Sequence, residues 1–287
     1  MTTPPLPEFI IAGPQKCATT WLYDCLYEHP DVYLPETDSI HYFDMNYEKG
    51  DQWYREFFSG YDGEALVGEE TPSYIRDEAT PRRIAETISD AKIIFIVRNP
   101  IDRAFSHYWH EKSKEKITFE FEEVFGNYDL YQNWVVPGFY TRHFQRYEAH
   151  LRRNQFKILF FEDLVADQQA YLNEVYDFLD LSEYTPSVLG EKSNEGRLRG
   201  VMRYGLYDSV TSFVARNAPD VVKDALRPAH RRIRDQLASQ TEYEQGMDEE
   251  VRAQLERVYL EEVDRLESYT DRRFDHWFEH VDKASNR

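Results

Sequence analysis

A lysine and two threonines follow an apolar run near the start of the chain, at a spacing suited to binding a phosphate group. The segment 9–26 passes from apolar residues through Gly13-Pro14 and Lys16 to Thr19-Thr20, and then takes the pattern of an amphipathic helix. At a strand-to-helix turn, backbone N–H groups and the helix dipole attract anions, and Lys16 adds a full positive charge. In the P-loop of nucleoside triphosphatases, Lys directly precedes Ser or Thr. The segment therefore predicts a phosphate-binding loop of a different kind.

A second segment, residues 92–109, has the same order of buried strand, polar turn and helix. The five apolar residues 93–97 are typical of a parallel strand covered on both faces. Arg98 follows at the carboxyl end of this strand, where open α/β sheets bind ligands. Ser106 lies about two helical turns further along if a helix begins near Pro100. We therefore expect Arg98 and Ser106 to contact a second phosphate.

The two segments together resemble the nucleotide-binding motifs of sulfotransferases that use 3′-phosphoadenosine 5′-phosphosulfate (PAPS). In that family a GxxKxGTTxL-like loop holds the 5′-phosphosulfate, and an RxPxxRxxSxY-like segment holds the 3′-phosphate. The residues that match these two motifs are Gly13, Lys16, Thr19, Thr20, Leu22, Arg98, Pro100, Arg103, Ser106 and Tyr108.

Further landmarks resemble the bacterial and heparan-sulfate-type branch of this family, which modifies glycans. They follow in the family's order over roughly residues 9–200, and they include His29-Pro30 and the stretches 41–44, 68–74, 138–140 and 162–164. The resemblance implies a P-loop-like 5′-phosphosulfate loop and transfer of a sulfuryl group from PAPS to a hydroxyl of a carbohydrate or glycolipid. The product nucleotide is then adenosine 3′,5′-bisphosphate, and no metal is needed.

The resemblance also implies which residues contact PAPS. The basic stretch 191–203 stands where the family has a loop that closes over the 3′-phosphate, although its arginines have the alternative of pairing with surface carboxylates. The expected cofactor contacts are Gly13, Pro14, Gln15, Lys16, Cys17, Ala18, Thr19, Thr20, Trp21, Arg98, Ser106, Arg197 and Arg199.

Three positions depart from the family pattern. Ser39 stands where glycan-modifying members usually carry the Glu that serves as catalytic base, and Glu70 stands where many members carry Lys. Ala18 replaces the commoner loop glycine. Because Ala adopts positive φ only at a cost, we expect a negative φ at this position.

Sulfuryl transfer needs stabilisation of negative charge and a base for the acceptor's proton. We expect Lys16 and the loop amides to stabilise the charge. His41 is the leading candidate for the base because its ordinary pKa near 6.5 suits proton transfer at neutral pH; the alternative is a structural histidine. Glu36 and Asp38 are the reserve candidates, and Glu70 is the third.

Two alternatives from other functional classes remain open. The chain is a PAPS-binding or nucleotide-binding protein without turnover if the changes at Ser39 and Glu70 abolish catalysis. It is a phosphoryl-transferring kinase if the loop binds a nucleoside triphosphate. The missing Lys-Ser/Thr pair and the lack of an evident Mg²⁺ ligand argue against the kinase.

The composition is strongly acidic. In 287 residues the formal net charge is −19, and this excess of carboxylates argues against nucleic-acid binding. It is typical of proteins from salt-loving microbes, in which salt screens the self-repulsion. An acidic face for a basic partner is the alternative, and the sequence leaves the oligomeric state open.

The two cysteines and the chain's first residues bear on its location. Cys17 and Cys25 lie about 12 Å apart if a helix joins them, too far for a disulfide, and so few cysteines suit a reducing compartment. We also expect Lys16 to lower the pKa of the Cys17 thiol.

The N-terminal residues lack a signal-like pattern, and no apolar run approaches a membrane span. The expected location is the cytoplasm.

The elements that must position these residues alternate between strands and helices. The patterns predict strands at 8–12, 65–68, 92–97 and 156–161, and helices at 18–28, 51–58, 78–89, 100–113, 138–153, 168–179 and 248–268. This alternation predicts a single α/β domain over residues 1–287, with a central parallel sheet flanked by helices and a helical C-terminal third.

Overall fold

A parallel sheet forms the centre of the computed structural model, which describes residues 3–37, 39–113, 117–187, 189 and 246–278. Within these residues the sheet has five strands, all parallel, in the order β2-β3-β1-β4-β5. The strands are β1 Phe9–Gly13, β2 Val32–Tyr33, β3 Leu66–Glu70, β4 Lys92–Val97 and β5 Phe156–Phe160. The predicted α/β fold is confirmed.

Helices follow the strands as the sequence patterns predict. The α-helices of the described residues are α1 Thr19–Tyr27, α2 Gly50–Arg55, α3 Thr80–Thr87, α4 Pro100–Ser113, α5 Tyr128–Leu130, α6 Tyr140–Glu148, α7 Phe161–Ala166, α8 Gln168–Leu179 and α9 Glu249–Thr270. Single turns of 3₁₀ or π helix cover Tyr42–Asn46, Tyr47–Lys49, Glu56–Phe58, Pro72–Ile75, Phe121–Phe125, Tyr131–Val135, Val136–Gly138, Arg153–Gln155 and Asp275–Trp277.

The predicted and observed bounds agree best where side chains define the helix start. Helix α4 begins at Pro100, and the Asn99 side chain accepts hydrogen bonds from the backbone N–H groups of Ile101 (2.9 Å) and Asp102 (3.4 Å). Helix α6 is shorter than predicted, because a 3₁₀ turn ends at Gly138 before it and the chain is extended again at Arg152. Predicted helicity within 190–245 lies outside the described residues.

Both faces of the sheet are buried. Along β1, Ile10 and Ala12 belong to one apolar cluster, whereas Phe9 and Ile11 belong to the other. The first cluster includes residues of α4, α6 and α9, and the second includes residues of α1 and α8. A parallel strand covered on both faces needs a continuous apolar sequence, which explains why β1 and β4 were recognisable from sequence.

The strand order changes direction between β1 and β4. After β1 the chain forms β2 and β3 on one side, and it then crosses to form β4 on the other side of β1. Gly13, at the end of β1, pairs with Phe95 of β4. Open parallel sheets bind ligands at such a switch point, outside the carboxyl ends of the strands. The two predicted phosphate-binding segments leave the sheet at this point.

The loop between β1 and α1 contains three residues in the left-handed region, with φ of 104° at Gly13, 70° at Lys16 and 67° at Ala18. A Cβ atom at Gly13 would lie 2.0 Å from the Pro72 carbonyl oxygen, so this position requires glycine. Our expectation of negative φ at Ala18 is wrong. The turn into α1 imposes the left-handed conformation there, and Ala adopts it at a cost of about 1 kcal/mol.

Replacing Ala18 with glycine is expected to stabilise the protein by about 0.5–1 kcal/mol, because glycine adopts this conformation without strain. Urea unfolding monitored by circular dichroism measures the change. Ala85→Gly in α3 is the matched control and is expected to destabilise the protein by a similar amount, since glycine is unfavourable within a helix. Destabilisation by Ala18→Gly would contradict the strain at this position.

Candidate active site

The β1–α1 loop presents backbone and cationic groups at the edge of the sheet. Helix α1 begins at Thr19, and the residue before it, Ala18, provides no side-chain cap for the first N–H groups. Thr20 is exposed, whereas Lys16 is half-buried. Free N–H groups at the start of a helix favour an anion. The strand-to-helix turn that the sequence predicts is present.

Two buried polar atoms beside the loop lack a partner among the described residues. They are the side-chain oxygen Oε1 of Gln15 and the indole Nε1 of Trp21. Most buried polar atoms in proteins are hydrogen-bonded, so a polar ligand in the loop offers a physical explanation for this pair. Both residues were predicted to contact the cofactor.

Arg98 joins the two predicted phosphate-binding segments. Its Nη1 donates a hydrogen bond of 3.2 Å to the Lys16 carbonyl oxygen, and its guanidinium carbon lies 4.5 Å from the centre of the Phe161 ring. The Tyr140 hydroxyl donates to the Arg98 carbonyl oxygen over 2.7 Å. These contacts hold Arg98 against the loop. Ser106 lies half-buried on α4, the helix that follows Arg98.

His41 forms a compact polar cluster with Asp44 and Ser73. The His41 Nδ1 atom lies 3.0 Å from Asp44 Oδ2 and 3.2 Å from Ser73 Oγ. The Ser73 hydroxyl donates to Asp44 Oδ2 over 2.6 Å. Asp44 therefore accepts from both groups, and Nδ1 of His41 is the protonated ring nitrogen in the neutral form. In this tautomer Nε2 carries the lone pair, on a side chain that is 32% exposed.

The electrostatics of the cluster favour a charged pair. The hydrogen bond to Asp44 raises the pKa of His41 above its ordinary 6.5. Burial alone would raise the pKa of Asp44, but the hydrogen bonds from His41 and Ser73 lower it below its ordinary value. Asp44 thus stays ionised, and it stabilises His41 when that ring gains a proton.

Backbone contacts place this cluster at the same end of the sheet as the loop. Ser73 follows Pro72, whose carbonyl oxygen packs against Gly13. The Ser39 N–H donates to the Glu70 carbonyl oxygen over 2.9 Å, and Glu70 pairs with Ile11 of β1. His41 and the β1–α1 loop therefore lie at the same end of the sheet, where parallel sheets form their ligand-binding crevice.

The other candidate bases have different positions. Glu70 is 4% exposed at the end of β3, and Glu36 is exposed on the loop after β2. Asp38, Arg197 and Arg199 lie outside the described residues. His41 combines an ionised neighbour, Asp44, with a side chain that is 32% exposed.

The pKa of the Cys17 thiol differs from our expectation. Cys17 and Cys25 are both free and buried. Burial raises the pKa of the Cys17 thiol to about 12 and outweighs the nearby positive charges of Arg103 and Arg98. Our prediction of a lowered pKa is wrong, because Cys17 is fully buried within the second apolar cluster, beside residues of α1 and α8.

A buried carboxyl group, Glu69, lies behind the His41 cluster. Its Oε1 accepts a hydrogen bond of 2.6 Å from the Tyr54 hydroxyl, and its Oε2 accepts one of 3.4 Å from Thr71. The side chain is fully buried, and burial raises its pKa to about 7. The nearby negative charge of Asp44 also raises the pKa of Glu69.

Sequence reasoning missed the roles of Asp44, Ser73 and Glu69. The spacing of His41 and Asp44 did contain a signal, because residues three apart face each other on one helical turn. Ser73 and Glu69 reach the cluster from another part of the chain, so no local pattern indicates them.

Residues 6–267 match the sulfotransferase domain family. The chain belongs to the sulfotransferase family. Its resemblance to the heparan-sulfate-type branch is confirmed by similar proteins. The bifunctional heparan sulfate N-deacetylase/N-sulfotransferase 4 of Mus musculus is 34% identical over 199 residues, which are 62% of this chain and 23% of that protein. The heparan sulfate glucosamine 3-O-sulfotransferase 3B1 of Homo sapiens is 33% identical over 183 residues, 61% of this chain and 46% of that protein.

This sulfotransferase spans between about a quarter and about half of the length of those two relatives. Among solved structures, the sulfotransferase from Alicyclobacillus acidocaldarius superimposes with a TM-score of 0.69, covering 95% of this chain and 99% of that one at 24% identity. This likeness shows the fold.

The described residues were assessed for membrane-spanning helices and for metal-binding groups. None of their helices is long and apolar enough to cross a membrane. No group of three or more His, Cys, Asp or Glu side chains in that part of the sulfotransferase is placed to hold a metal ion.

Replacing Glu69 with glutamine is expected to change how stability depends on pH. The folded protein keeps the Glu69 proton up to about pH 7, whereas an unfolded chain releases it near pH 4.5. Raising the pH through this window therefore favours the unfolded chain, by on the order of 3 kcal/mol in total. The glutamine side chain has no proton to lose, so E69Q should lack this decline.

Urea unfolding at pH 5 and pH 8 measures the effect. The stability of E69Q relative to the wild type is expected to be higher at pH 8 than at pH 5. Glu86→Gln on the exposed face of α3 is the control and should leave the pH dependence almost unchanged. Parallel pH profiles for E69Q and the wild type would contradict the raised pKa.

Proposed function

We propose that this sulfotransferase transfers a sulfuryl group from PAPS to a hydroxyl of a carbohydrate, either free or attached to a lipid. The main support is the hydrogen bond from Arg98 to the Lys16 carbonyl oxygen, because it brings two anion-binding segments to one crevice. PAPS carries anionic groups at both its 5′ and 3′ positions and therefore needs two such segments. The similarity to relatives named for heparan sulfate supports a carbohydrate acceptor.

The residues of the crevice fit this cofactor. The loop N–H groups, Lys16 and Thr20 would hold the 5′-phosphosulfate, and Arg98 and Ser106 would hold the 3′-phosphate. The buried atoms Gln15 Oε1 and Trp21 Nε1 offer polar contacts beside the loop. When bound, PAPS supplies an activated sulfuryl group with a phosphate leaving group.

The loop stabilises the negative charge that develops during transfer. Lys16 and the N–H groups at the start of α1 are fixed before reaction, so little reorganisation is needed. Removing a single donor of this kind typically slows a reaction by two or more orders of magnitude. We therefore assign Lys16 to charge stabilisation.

We assign Nε2 of His41 as the base that takes the proton of the acceptor hydroxyl. Asp44 holds the proton on Nδ1, which leaves the Nε2 lone pair for the acceptor hydroxyl. Its negative charge also stabilises the imidazolium that forms. Ser39 lacks a carboxylate, so a His–Asp pair would take the role that a glutamate has in related enzymes.

A second candidate function is nucleotide binding without turnover. Ser39 favours it, because a hydroxyl at this position is a poor base at neutral pH. This candidate predicts binding of adenosine 3′,5′-bisphosphate but no sulfuryl transfer to any glycan. Sulfuryl transfer from PAPS to a panel of heparan-type and other oligosaccharides separates the two.

His41→Ala is expected to lower the rate of sulfuryl transfer by 10²–10⁴-fold, the usual contribution of a general base. Asp44→Asn should lower the rate and move the acid limb of the pH–rate profile to lower pH, since the neighbouring negative charge raises the pKa of His41. His150→Ala on the surface is the control. Unchanged rates in His41→Ala would remove this residue from the mechanism.

Arg98→Ala is expected to weaken binding of adenosine 3′,5′-bisphosphate by about 1.5–3 kcal/mol, the value of a charged hydrogen bond. Binding of adenosine 5′-phosphate should change much less, because it lacks the 3′ group. Isothermal titration calorimetry measures both. Arg82→Ala, which removes an exposed arginine of α3, is the control. Equal losses for the two nucleotides would refute the 3′-phosphate assignment.

A further inference from the structure

The segment after α9 contacts the turn between β4 and α4. Trp277 in this segment is 2% exposed, and its carbonyl oxygen accepts a hydrogen bond of 2.9 Å from the side-chain nitrogen of Asn99. The Trp277 indole N–H donates to Glu162 Oε1 over 3.0 Å. The same oxygen accepts a hydrogen bond of 3.4 Å from the Asn99 backbone N–H. Trp277, Glu162 and Asn99 thus form a closed set of hydrogen bonds, which we call the Trp277 network.

Asn99 connects this network to the start of helix α4. Its side-chain nitrogen binds Trp277, while its side-chain oxygen accepts from the N–H groups of Ile101 and Asp102. Asn99 is 7% exposed, so a partner that is lost leaves a buried polar group unsatisfied. All of these hydrogen bonds form in one position of the side chain, and that position fixes the first turn of α4.

Arg98, the residue before Asn99, depends on the same elements. Its guanidinium carbon lies 4.5 Å from the centre of the Phe161 ring, and Phe161 directly precedes Glu162. The turn after β5 therefore contacts Arg98 through the Phe161 ring and contacts Asn99 through the Glu162 carboxyl group. Because Arg98 also donates to the Lys16 carbonyl oxygen, a shift of this turn would move the guanidinium relative to the β1–α1 loop.

Other contacts anchor the segment that contains Trp277. The Phe274 ring stacks on the Trp277 indole with 4.1 Å between ring centres, and it lies 5.5 Å from the ring of Phe160 in β5. Arg272 forms an ion pair with both carboxylate oxygens of Asp163 on α7. These contacts hold the segment against β5 and α7 independently of the indole N–H. Loss of that N–H alone should therefore leave the segment in place.

We propose that Trp277 is a positioning residue for recognition of the 3′-phosphate, and that it acts through Glu162 and Asn99 on the orientation of Arg98. The inference rests on the proposed function for the identity of the ligand. Trp277 is buried and both of its polar atoms are bound within the network, so it does not touch the nucleotide. Charged hydrogen bonds are directional, so a displaced guanidinium loses affinity for the 3′-phosphate more than for the rest of the nucleotide.

Trp277→Phe tests this role, because it keeps an aromatic ring against Phe274 and removes the indole N–H. Isothermal titration calorimetry with adenosine 3′,5′-bisphosphate and with adenosine 5′-phosphate measures the preference for the 3′-phosphate. We expect this preference to fall about fivefold, the effect of losing one hydrogen bond, with little change in the affinity for adenosine 5′-phosphate. A wild-type preference in folded Trp277→Phe overturns the proposal.

Trp134→Phe is the matched control. Trp134 is fully buried, and its indole N–H donates to Glu111 Oε2 over 2.7 Å, so this substitution removes the same kind of hydrogen bond. That bond lies outside the Trp277 network. Trp134→Phe should lower the melting temperature and leave the nucleotide preference unchanged. An equal loss of preference in both variants would assign the effect to general destabilisation and overturn the proposal.

Substitutions of Glu162 test the network from its other end, and they decide the question if Trp277→Phe does not fold. Glu162→Gln and Glu162→Met have the same side-chain charge, but only glutamine keeps an oxygen that accepts from the indole N–H. Glu162→Gln should therefore show a preference for the 3′-phosphate about fivefold higher than that of Glu162→Met. Equal preferences in these two variants would contradict the proposed role.

Hydrogen exchange separates this inference from the proposed function. If wild-type protein binds both nucleotides equally, the proposed function fails and calorimetry no longer reports on Trp277. Exchange of the backbone amides of residues 98–102 in ligand-free protein, measured by mass spectrometry, then tests the network alone. Faster exchange in Trp277→Phe than in the wild type and Trp134→Phe supports the coupling of Trp277 to this turn, and unchanged exchange overturns it.

Discussion

The parallel pairing of β1 with β4 is the constraint on which the rest of the site depends. The register runs from Phe9 opposite Lys92 to Gly13 opposite Phe95, so β1 ends beside the last residues of β4, which continues to Val97. The β1–α1 loop, which contains Lys16, must therefore leave the sheet at the same edge as Arg98, which follows β4. The switch in strand order between them opens the crevice. The 3.2 Å hydrogen bond from Arg98 to the Lys16 carbonyl oxygen then fixes one segment against the other.

The distribution of charge around this crevice is unusual for so acidic a chain. With a formal net charge of −19, a random placement of side chains would put carboxylates beside every cation. Instead Arg103 is buried without an ion pair in the described residues, and the neighbouring Cys17 thiol and His107 imidazole are held neutral. Asp44, an ionised carboxylate at this end of the sheet, accepts hydrogen bonds from His41 and Ser73.

The sequence predicted most of what depends on local patterns. Strand β4 and helices α4 and α8 have the bounds expected from apolar runs, Pro100 and helical periodicity. Strand β2 was missed because its two residues form no pattern and exist only through pairing with β3. The positive φ of Ala18, the neutral Cys17 thiol and the contacts of Ser73 were not predictable. The thiol's burial and the Ser73 contacts are set by neighbours that are distant in sequence, and the turn into α1 overrides the preference of Ala18.

The backbone around Ser39 fixes the position of His41, the residue that we propose as the base. Ser39 and His41 have φ of 60° and 57°, a conformation that is strained for residues with side chains. Hydrogen bonds maintain this conformation. The Ser39 N–H donates to the Glu70 carbonyl oxygen. The His41 carbonyl oxygen accepts from the N–H groups of Met45 and Asn46 and from the Asn46 side chain. This arrangement brings the His41 ring onto Asp44 and leaves 32% of the His41 side chain exposed. Under the proposed function, this side chain provides the base that Ser39 cannot.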